Sequence, residues 1–144
     1  MPEQQPTADT HDMSWVLNKL AQEKGVLNAV LLSSDGLRLA TSEGLDRDVA
    51  DRTSASVSSL FSLGRSLTEF AQAPQDETPR KMILDLPDRC VLIFSAGHNT
   101  VLAVAVGEDM TKPEVAVVTA ATIKAIRALS ATLSARARTA SRTS

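Results

Sequence analysis

The stretch CVLIFSAGHNTVLAVAVG, residues 90–107, decides the fold, because two apolar runs flank a Gly-His-Asn turn. The apolar residues in these runs do not alternate with polar ones. In the first run Leu92 would point to one face of a strand, while Val91 and Ile93 would point to the other. An antiparallel sheet with one face in water shows a clean alternation. The stretch therefore predicts two antiparallel strands in a sheet that is covered on both faces.

The remaining sequence predicts three helices and three further strands, from helical apolar spacing and from apolar runs bounded by turn residues. The helices are predicted at residues 12–24, 46–71 and 113–133, and the strands at 26–33, 37–41 and 80–86. The order α-β-β-α-β-β-β-α predicts an α+β fold, a three-layer α/β/α arrangement with a five-stranded antiparallel sheet. We expect one domain at residues 13–133, between a disordered N-terminal arm at 1–12 and a disordered basic tail at 134–144.

The middle helix predicts that something outside the chain covers part of the sheet. We expect the first and last helices on one face and the middle helix alone on the other. One helix is about 10 Å wide, whereas five strands span about 20 Å. The stripe predicted to face the sheet contains Val49, Thr53, Val57, Leu60, Gly64, Leu67 and Ala71. The predicted outer face contains Ser54, Ser58, Ser59, Ser62 and Ser66.

Serine is a mediocre helix former, and small residues allow two helices to approach closely. We therefore expect the middle helix to pack against its twin across a two-fold axis. The alternative is a solvated, serine-rich face. The third strand also favours pairing with a second copy, because Met82, Ile83 and Leu84 would form an apolar sheet edge that a second copy could pair with. In the alternative arrangement, the loop at residues 75–79 covers that strand.

Composition excludes several classes of function. The chain has 144 residues, of which 43% are apolar, and a formal net charge of −2, so nucleic acid is a poor partner. The single cysteine, Cys90, excludes an intramolecular disulfide, and neither histidine has further ligands at metal-like spacing. We find no nucleophile–base pair, no phosphate-binding loop and no apolar run near 20 residues. We expect a cytoplasmic protein without an active site, cofactor, metal or direct membrane insertion.

Two segments resemble a known family. Residues 26–55, VLNAVLLSSDGLRLATSEGLDRDVADRTSA, are similar to the first hairpin and second helix of roadblock/dynein-light-chain domains. Residues 81–110, KMILDLPDRCVLIFSAGHNTVLAVAVGEDM, are similar to their three-stranded meander. The lead-in GLDRD, residues 44–48, resembles the actinobacterial subgroup of conservon operons, which also encode a sensor-kinase-like membrane protein and a Ras-like GTPase.

The resemblance implies a roadblock/profilin-like fold and a homodimer in which the middle helices pair and the third strands join two sheets. In relatives, a small Ras-like GTPase docks on the paired helices, and some bacterial relatives accelerate GTP hydrolysis without donating an arginine finger. The implied partners are a second copy, the GTPase and a sensor-kinase-like protein at the inner face of the membrane. The docking surface carried over is Arg47, Asp51, Arg52, Ser58, Ser59 and Arg65, with Met82, Ile83 and Leu84 as the dimer edge.

A small-molecule-sensing module of the PAS or GAF type is the alternative function, because such domains hold a ligand between the sheet and a helix. That function requires a pocket with a few convergent polar groups. Asn28 and Thr53 are the inward-facing polar candidates for it.

Overall fold

The apolar runs and turn residues of the sequence form helices and strands in the expected order. A computed structural model describes residues 8–74 and 77–142, with side chains for 13–74 and 77–135. The helices are α1 (Ala8–Leu20), α2 (Arg47–Ser66) and α3 (Pro113–Arg142). The strands are β1 (Val26–Ser33), β2 (Arg38–Thr41), β3 (Lys81–Asp85), β4 (Cys90–Gly97) and β5 (Thr100–Val106). The predicted α+β order with a five-stranded antiparallel sheet is confirmed.

The sheet has the strand order β2-β1-β5-β4-β3, and all neighbouring strands are antiparallel. The turn between β4 and β5 contains His98 and Asn99 at φ values of 51° and 59°. Two consecutive residues with positive φ match the twist of a tight hairpin. This order places β5 at the centre of the sheet and β2 and β3 at its two edges.

The two faces of the sheet carry separate cores. On one face α1 and α3 pack on the sheet, with a core that includes Met13, Leu17, Leu31, Leu92, Leu102, Val104, Val118 and Leu129. On the other face α2 packs alone, with a core of Val30, Leu32, Val57, Phe61, Ile93, Val101 and Ala103. Successive side chains of β4 enter opposite cores, because Leu92 belongs to the first core and Ile93 to the second. The expected distribution of helices is confirmed.

The stripe of α2 that faces the sheet differs from the prediction. The buried residues of this helix are Ala50, Ser54, Val57 and Phe61, so of the predicted stripe only Val57 is buried. Burial of Phe61 removes more apolar surface from water than burial of Leu60 or Leu67 would. Ser54, predicted to face outward, is fully buried because its hydroxyl donates to the carbonyl of Ala50 at 2.8 Å.

The helix ends also differ from the predictions. α1 begins at Ala8 rather than near residue 12, since polar residues propagate a helix beyond its apolar repeat. α2 ends at Ser66 rather than at residue 71, and the hydroxyls of Ser66 and Thr68 donate to the carbonyls of Leu63 and Arg65. Such bonds from a side chain to the backbone compete with the helical ladder.

The tail predicted as disordered is helical as far as Arg142, because α3 continues past its predicted end. Residues 135–142 consist mainly of alanine and arginine, which are strong helix formers, and they contain no glycine or proline. The other residues of the predicted arm and tail, 1–7 and 143–144, lie outside the described residues.

One helix among the described residues has the length and composition of a membrane span. It is the segment Pro113–Ala135 of α3, with a mean hydropathy of 1.4, and Lys124 and Arg127 interrupt its apolar residues. Its apolarity comes from many small alanines, so the sequence shows no long run of large apolar residues. Val118 and Leu129 on this helix are fully buried against the sheet, so α3 also serves as a core helix of the domain.

Candidate functional site

An exposed apolar stripe runs along α2 and the turn that follows it, apart from the buried residues of the helix. Leu60, Leu63, Leu67 and Phe70 recur at spacings of three, four and three residues, and Val49 lies eleven residues before the first of them. We call these five residues the apolar seam. Spacings of three and four residues place side chains on one side of a helix. Leu63, Leu67 and Phe70 expose 63%, 60% and 88% of their surface. Contiguous exposed apolar residues of this kind mark an interaction site.

The apolar seam faces the β3 side of the sheet. The opposite side of α2 is tied to the β2 side, because Asp51 accepts from Arg38 Nε at 2.8 Å and Ser58 donates to the carbonyl of Ser34 at 2.7 Å. Gly64 adjoins β3, since a Cβ atom at this position would lie 3.5 Å from Met82 Sδ on that strand. The helix therefore turns its polar side to one edge of the sheet and its apolar seam to the other.

β3 is an uncovered edge strand with an apolar surface. Ile83 and Leu84 are 42% and 47% exposed, and Leu86 just beyond the strand is 40% exposed. The described part of the loop, residues 77–79, does not cover these side chains. The expectation that this strand lies at the edge is confirmed, and the alternative of coverage by its own loop gains no support.

Successive residues of β3 point their backbone N–H and C=O groups alternately towards β4 and towards the open edge. The carbonyl of Arg80 accepts from Ser95 N at 2.9 Å, and Leu86 N donates to the carbonyl of Arg89 at 2.9 Å. Even-numbered residues thus point their backbone groups towards β4. In an antiparallel ladder the odd-numbered residues then point theirs outward, so the free edge presents the N–H and C=O groups of Lys81, Ile83 and Asp85.

The predicted docking residues fall into two groups on α2. Arg47, Asp51, Ser58 and Arg65 share one side by their helical spacing, and on it Asp51 and Ser58 are already engaged with the β2 side. Arg52 and Ser59 lie on the exposed outer surface, opposite the buried stripe. The structure therefore does not bring the six residues into one patch.

Sequence reasoning missed the apolar seam as a site. Val49, Leu60 and Leu67 belong to the predicted inner stripe, and the sequence pattern does not single out Leu63 or Phe70. The missed signal is a second apolar stripe at spacings of three and four residues, on a different side of the helix from Val57 and Phe61. Phe70, just beyond the end of α2, continues the same spacing.

The described residues give little support for a metal site or a nucleophilic cysteine. Within them, no three His, Cys, Asp or Glu side chains are grouped so that they could hold a metal. Burial, with smaller effects of Asp85 and Asp109, raises the pKa of the Cys90 thiol, so this predicted buried cysteine is not activated as a nucleophile.

The alternative of ligand sensing also gains little support. One cavity of about 130 Å³ lies between α1 and α3, and one of about 150 Å³ lies beside the C-terminal half of α2. Ligand pockets usually measure about 300–1,000 Å³. Asn28 and Thr53, the predicted polar candidates, line neither cavity.

Comparisons with known proteins agree with this architecture. The family model described as Roadblock/LC7 domain matches residues 14–106. The crystal structure of a Roadblock/LC7 domain from Streptomyces avermitilis is 32% identical with a TM-score of 0.73, and the match covers 85% of this chain and 98% of that chain. None of the curated proteins compared with this sequence matches it.

More distant solved structures share the fold. The gliding protein MglB from Thermus thermophilus is 19% identical with a TM-score of 0.74, and the match covers 89% of this chain and 93% of that chain. MglB from Myxococcus xanthus is 11% identical with a TM-score of 0.72, covering 88% of this chain and 91% of that chain. At these identities the likeness extends to the fold alone.

Proposed function

Because the chain belongs to the Roadblock/LC7 family, we propose that it is a homodimeric regulator or scaffold that binds a small Ras-like GTPase in a membrane-associated signalling complex at the inner face of the membrane. In this role it modulates GTP hydrolysis through the GTPase's own residues. The observation that carries the proposal is the apolar seam of α2, which faces the same side of the molecule as the free edge of β3.

A second copy covers both features at once. Two-fold pairing of β3 strands places the two α2 helices side by side, seam against seam, above the joined sheets. Full burial of a large apolar side chain contributes about 1.5–3 kcal/mol. The seam together with Leu84 and Leu86 supplies several such side chains from each protomer. Their burial offsets an association cost of about 4–15 kcal/mol.

The GTPase is proposed to dock on the outer surface of the paired helices. Arg52 and Ser59 remain exposed there when the seams are paired, whereas Arg47 and Arg65 lie on the side of α2 that faces β2. Asp51 and Ser58 act indirectly, because their contacts to Arg38 and Ser34 fix the rotation of α2. The described residues do not single out one arginine as a finger.

Binding and hydrolysis assays test the GTPase assignment. The protein is mixed with a small Ras-like GTPase from the same organism, and both complex formation and the GTP hydrolysis rate are measured. The double variant Arg52→Glu, Ser59→Glu is expected to weaken binding at least about tenfold, since charged groups at an interface set affinity and partner choice. Arg127→Glu, an exposed arginine on the opposite face, is the matched control and is expected to bind normally. Wild-type protein that neither binds the GTPase nor changes its rate would overturn the assignment.

A further inference from the structure

The free edge of β3 offers a short, bounded ladder to a pairing strand. Its outward backbone groups belong to Lys81, Ile83 and Asp85. Pro79 and Pro87 occupy the next positions of the same parity on either side. Proline has no N–H to donate, so it ends a ladder on that edge. A partner strand can therefore use the whole edge only if it matches these three residues.

The two charged residues of this ladder lack partners among the described residues. Lys81 and Asp85 are exposed, and the residues opposite them on β4 are Phe94 and Cys90. No ion pair of the described residues involves either side chain. Four residues of extended strand span about 13 Å, so Lys81 cannot reach Asp85 of its own strand. A strand with opposite charges at the opposite positions would satisfy both.

We propose that Lys81 and Asp85 set the register of the intersubunit sheet and make this edge selective for a second copy of the same chain. This inference rests on the proposed homodimer. The two-fold axis passes between Ile83 and Ile83 of the partner subunit, so these two residues lie directly opposite each other. Lys81 of each protomer lies opposite Asp85 of the other. In this register every outward N–H and C=O of the ladder finds a partner.

The other symmetric registers are poorer. An axis through Lys81 or through Asp85 places two like charges directly opposite each other, which destabilises a strand pair. An axis through Met82 places Lys81 opposite Ile83 and Asp85 opposite Pro79, and an axis through Leu84 leaves Lys81 opposite a proline. Each of these registers shortens the ladder and leaves charges unpaired.

The surroundings of the ladder strengthen its polarity. The C-terminal end of β3 carries the carboxylate of Asp85, and Asp109 lies near enough to act with it on Cys90. The N-terminal end is basic, since Arg80 precedes Lys81. Antiparallel self-pairing superposes the basic end of one strand on the acidic end of the other. The edge strand of another Roadblock protein that lacks these two charges would leave Lys81 and Asp85 unpaired. Dimers between two different Roadblock proteins are therefore disfavoured.

Charge exchange tests the register with full-length protein. Lys81→Glu alone places two acids opposite each other in the homodimer, and Asp85→Lys alone places two lysines opposite each other. Each variant is expected to raise the dimer dissociation constant at least about tenfold. An equimolar mixture of the two variants restores both attractive pairs, so it is expected to form a mixed dimer about as tight as wild type. Lys124→Glu and Glu43→Lys, at exposed positions away from the ladder, are the controls and are expected to dimerise normally.

Cysteine cross-linking reads the register independently of charge. Directly opposite residues in a hydrogen-bonded antiparallel pair have Cα atoms about 5.5 Å apart, which suits a disulfide. Ile83→Cys is expected to form an intersubunit disulfide on mild oxidation, whereas Lys81→Cys is not. Native Cys90 is buried and serves as the internal background.

The outcomes separate the two proposals. Wild-type protein that stays monomeric overturns the homodimer and the register together. A wild-type dimer that tolerates both charge variants, or that cross-links through Lys81→Cys instead of Ile83→Cys, overturns the register and leaves the homodimer intact. Mixed-dimer recovery together with cross-linking through Ile83→Cys establishes the register.

Discussion

The β2 edge and the β3 edge of the sheet differ in how well their backbone groups are protected from pairing with another strand. β2 has four residues, pairs irregularly with β1 between Leu31 and Leu32, and is followed by Glu43, whose N–H donates to Asn18 of α1 at 2.6 Å. β3 has five residues in unbroken register with β4, and no described element lies beyond it. Short length, irregular pairing and covering side chains are the usual ways to block unwanted strand pairing. The β2 edge combines irregular pairing with the covering side chain of Asn18, whereas the β3 edge has charged residues and flanking prolines but no described covering element.

α2 repeats this difference above the sheet. Its side towards β2 is polar and fixed by the contact between Arg38 and Asp51. Its side towards β3 carries the apolar seam, with Phe70 88% exposed. One side of the molecule is therefore completed by the chain itself, while the other remains open for a partner.

The largest effect on stability is expected from the inner stripe of α2. Phe61→Ala is expected to destabilise the fold by about 3–5 kcal/mol, because it leaves a cavity between α2 and the sheet. Leu63→Ala, on the apolar seam, is expected to change the unfolding of dilute, monomeric protein by less than about 0.5 kcal/mol and to weaken dimerisation. Urea unfolding and sedimentation equilibrium measure the two effects. Equal destabilisation by both variants would contradict the assignment of the two stripes.

Proline substitution distinguishes the inner from the outer backbone groups of β3. Leu84→Pro removes a donor to β4 and is expected to destabilise the domain by about 1–3 kcal/mol. Ile83→Pro removes a donor that faces outward, so it is expected to abolish dimerisation while the domain remains folded. Circular dichroism melting and light scattering report the two outcomes. A reversed pattern would show that the alternation along β3 is shifted by one residue.

A smaller, pH-dependent effect is expected beside the β3 edge. Burial holds the pKa of Cys90 above its ordinary value, so the folded state keeps the thiol protonated. This contribution is fully present below the ordinary thiol pKa, and it is lost as the pH rises through the folded value, because the unfolded chain then ionises first. The free energy of unfolding is therefore expected to fall from about pH 8 to about pH 10 by more in wild type than in Cys90→Ala. Parallel pH profiles for the two proteins would contradict this role of burial.

The smallest effect is expected at the β2 side. The side chains of Arg38 and Asp51 are 30% and 53% exposed, and such pairs contribute about 0.2–1 kcal/mol. Arg38→Ala is therefore expected to destabilise the domain only within that range and to leave the dimer unchanged. A double-mutant cycle with Asp51→Ala isolates the pair itself. Loss of the dimer in Arg38→Ala would show that the two edges are coupled.

The element order and both covered faces of the sheet could be predicted from the sequence, because apolar runs such as residues 90–96 leave little choice of structure. The rotation of α2 could not. Two apolar stripes compete on that helix, and the choice between them depends on how Phe61 fits the sheet and on Ser54 bonding its own backbone. The serines that predicted helix pairing are partly used within the chain, whereas the apolar seam supports the same hypothesis with different residues.

The helical end of the chain was predictable only in part. Alanine and arginine favour a helix locally, but a high charge and few large apolar residues are also typical of a disordered tail. The continuation of α3 to Arg142 shows that local helix propensity prevailed there.

Sedimentation equilibrium at micromolar concentration tests the central claim most directly, namely that a second copy closes the β3 side. We predict a particle with twice the mass of one 15.3 kDa chain, converted to single chains by Ile83→Pro. A folded wild-type protein that sediments as one 15.3 kDa chain across this concentration range would contradict the account.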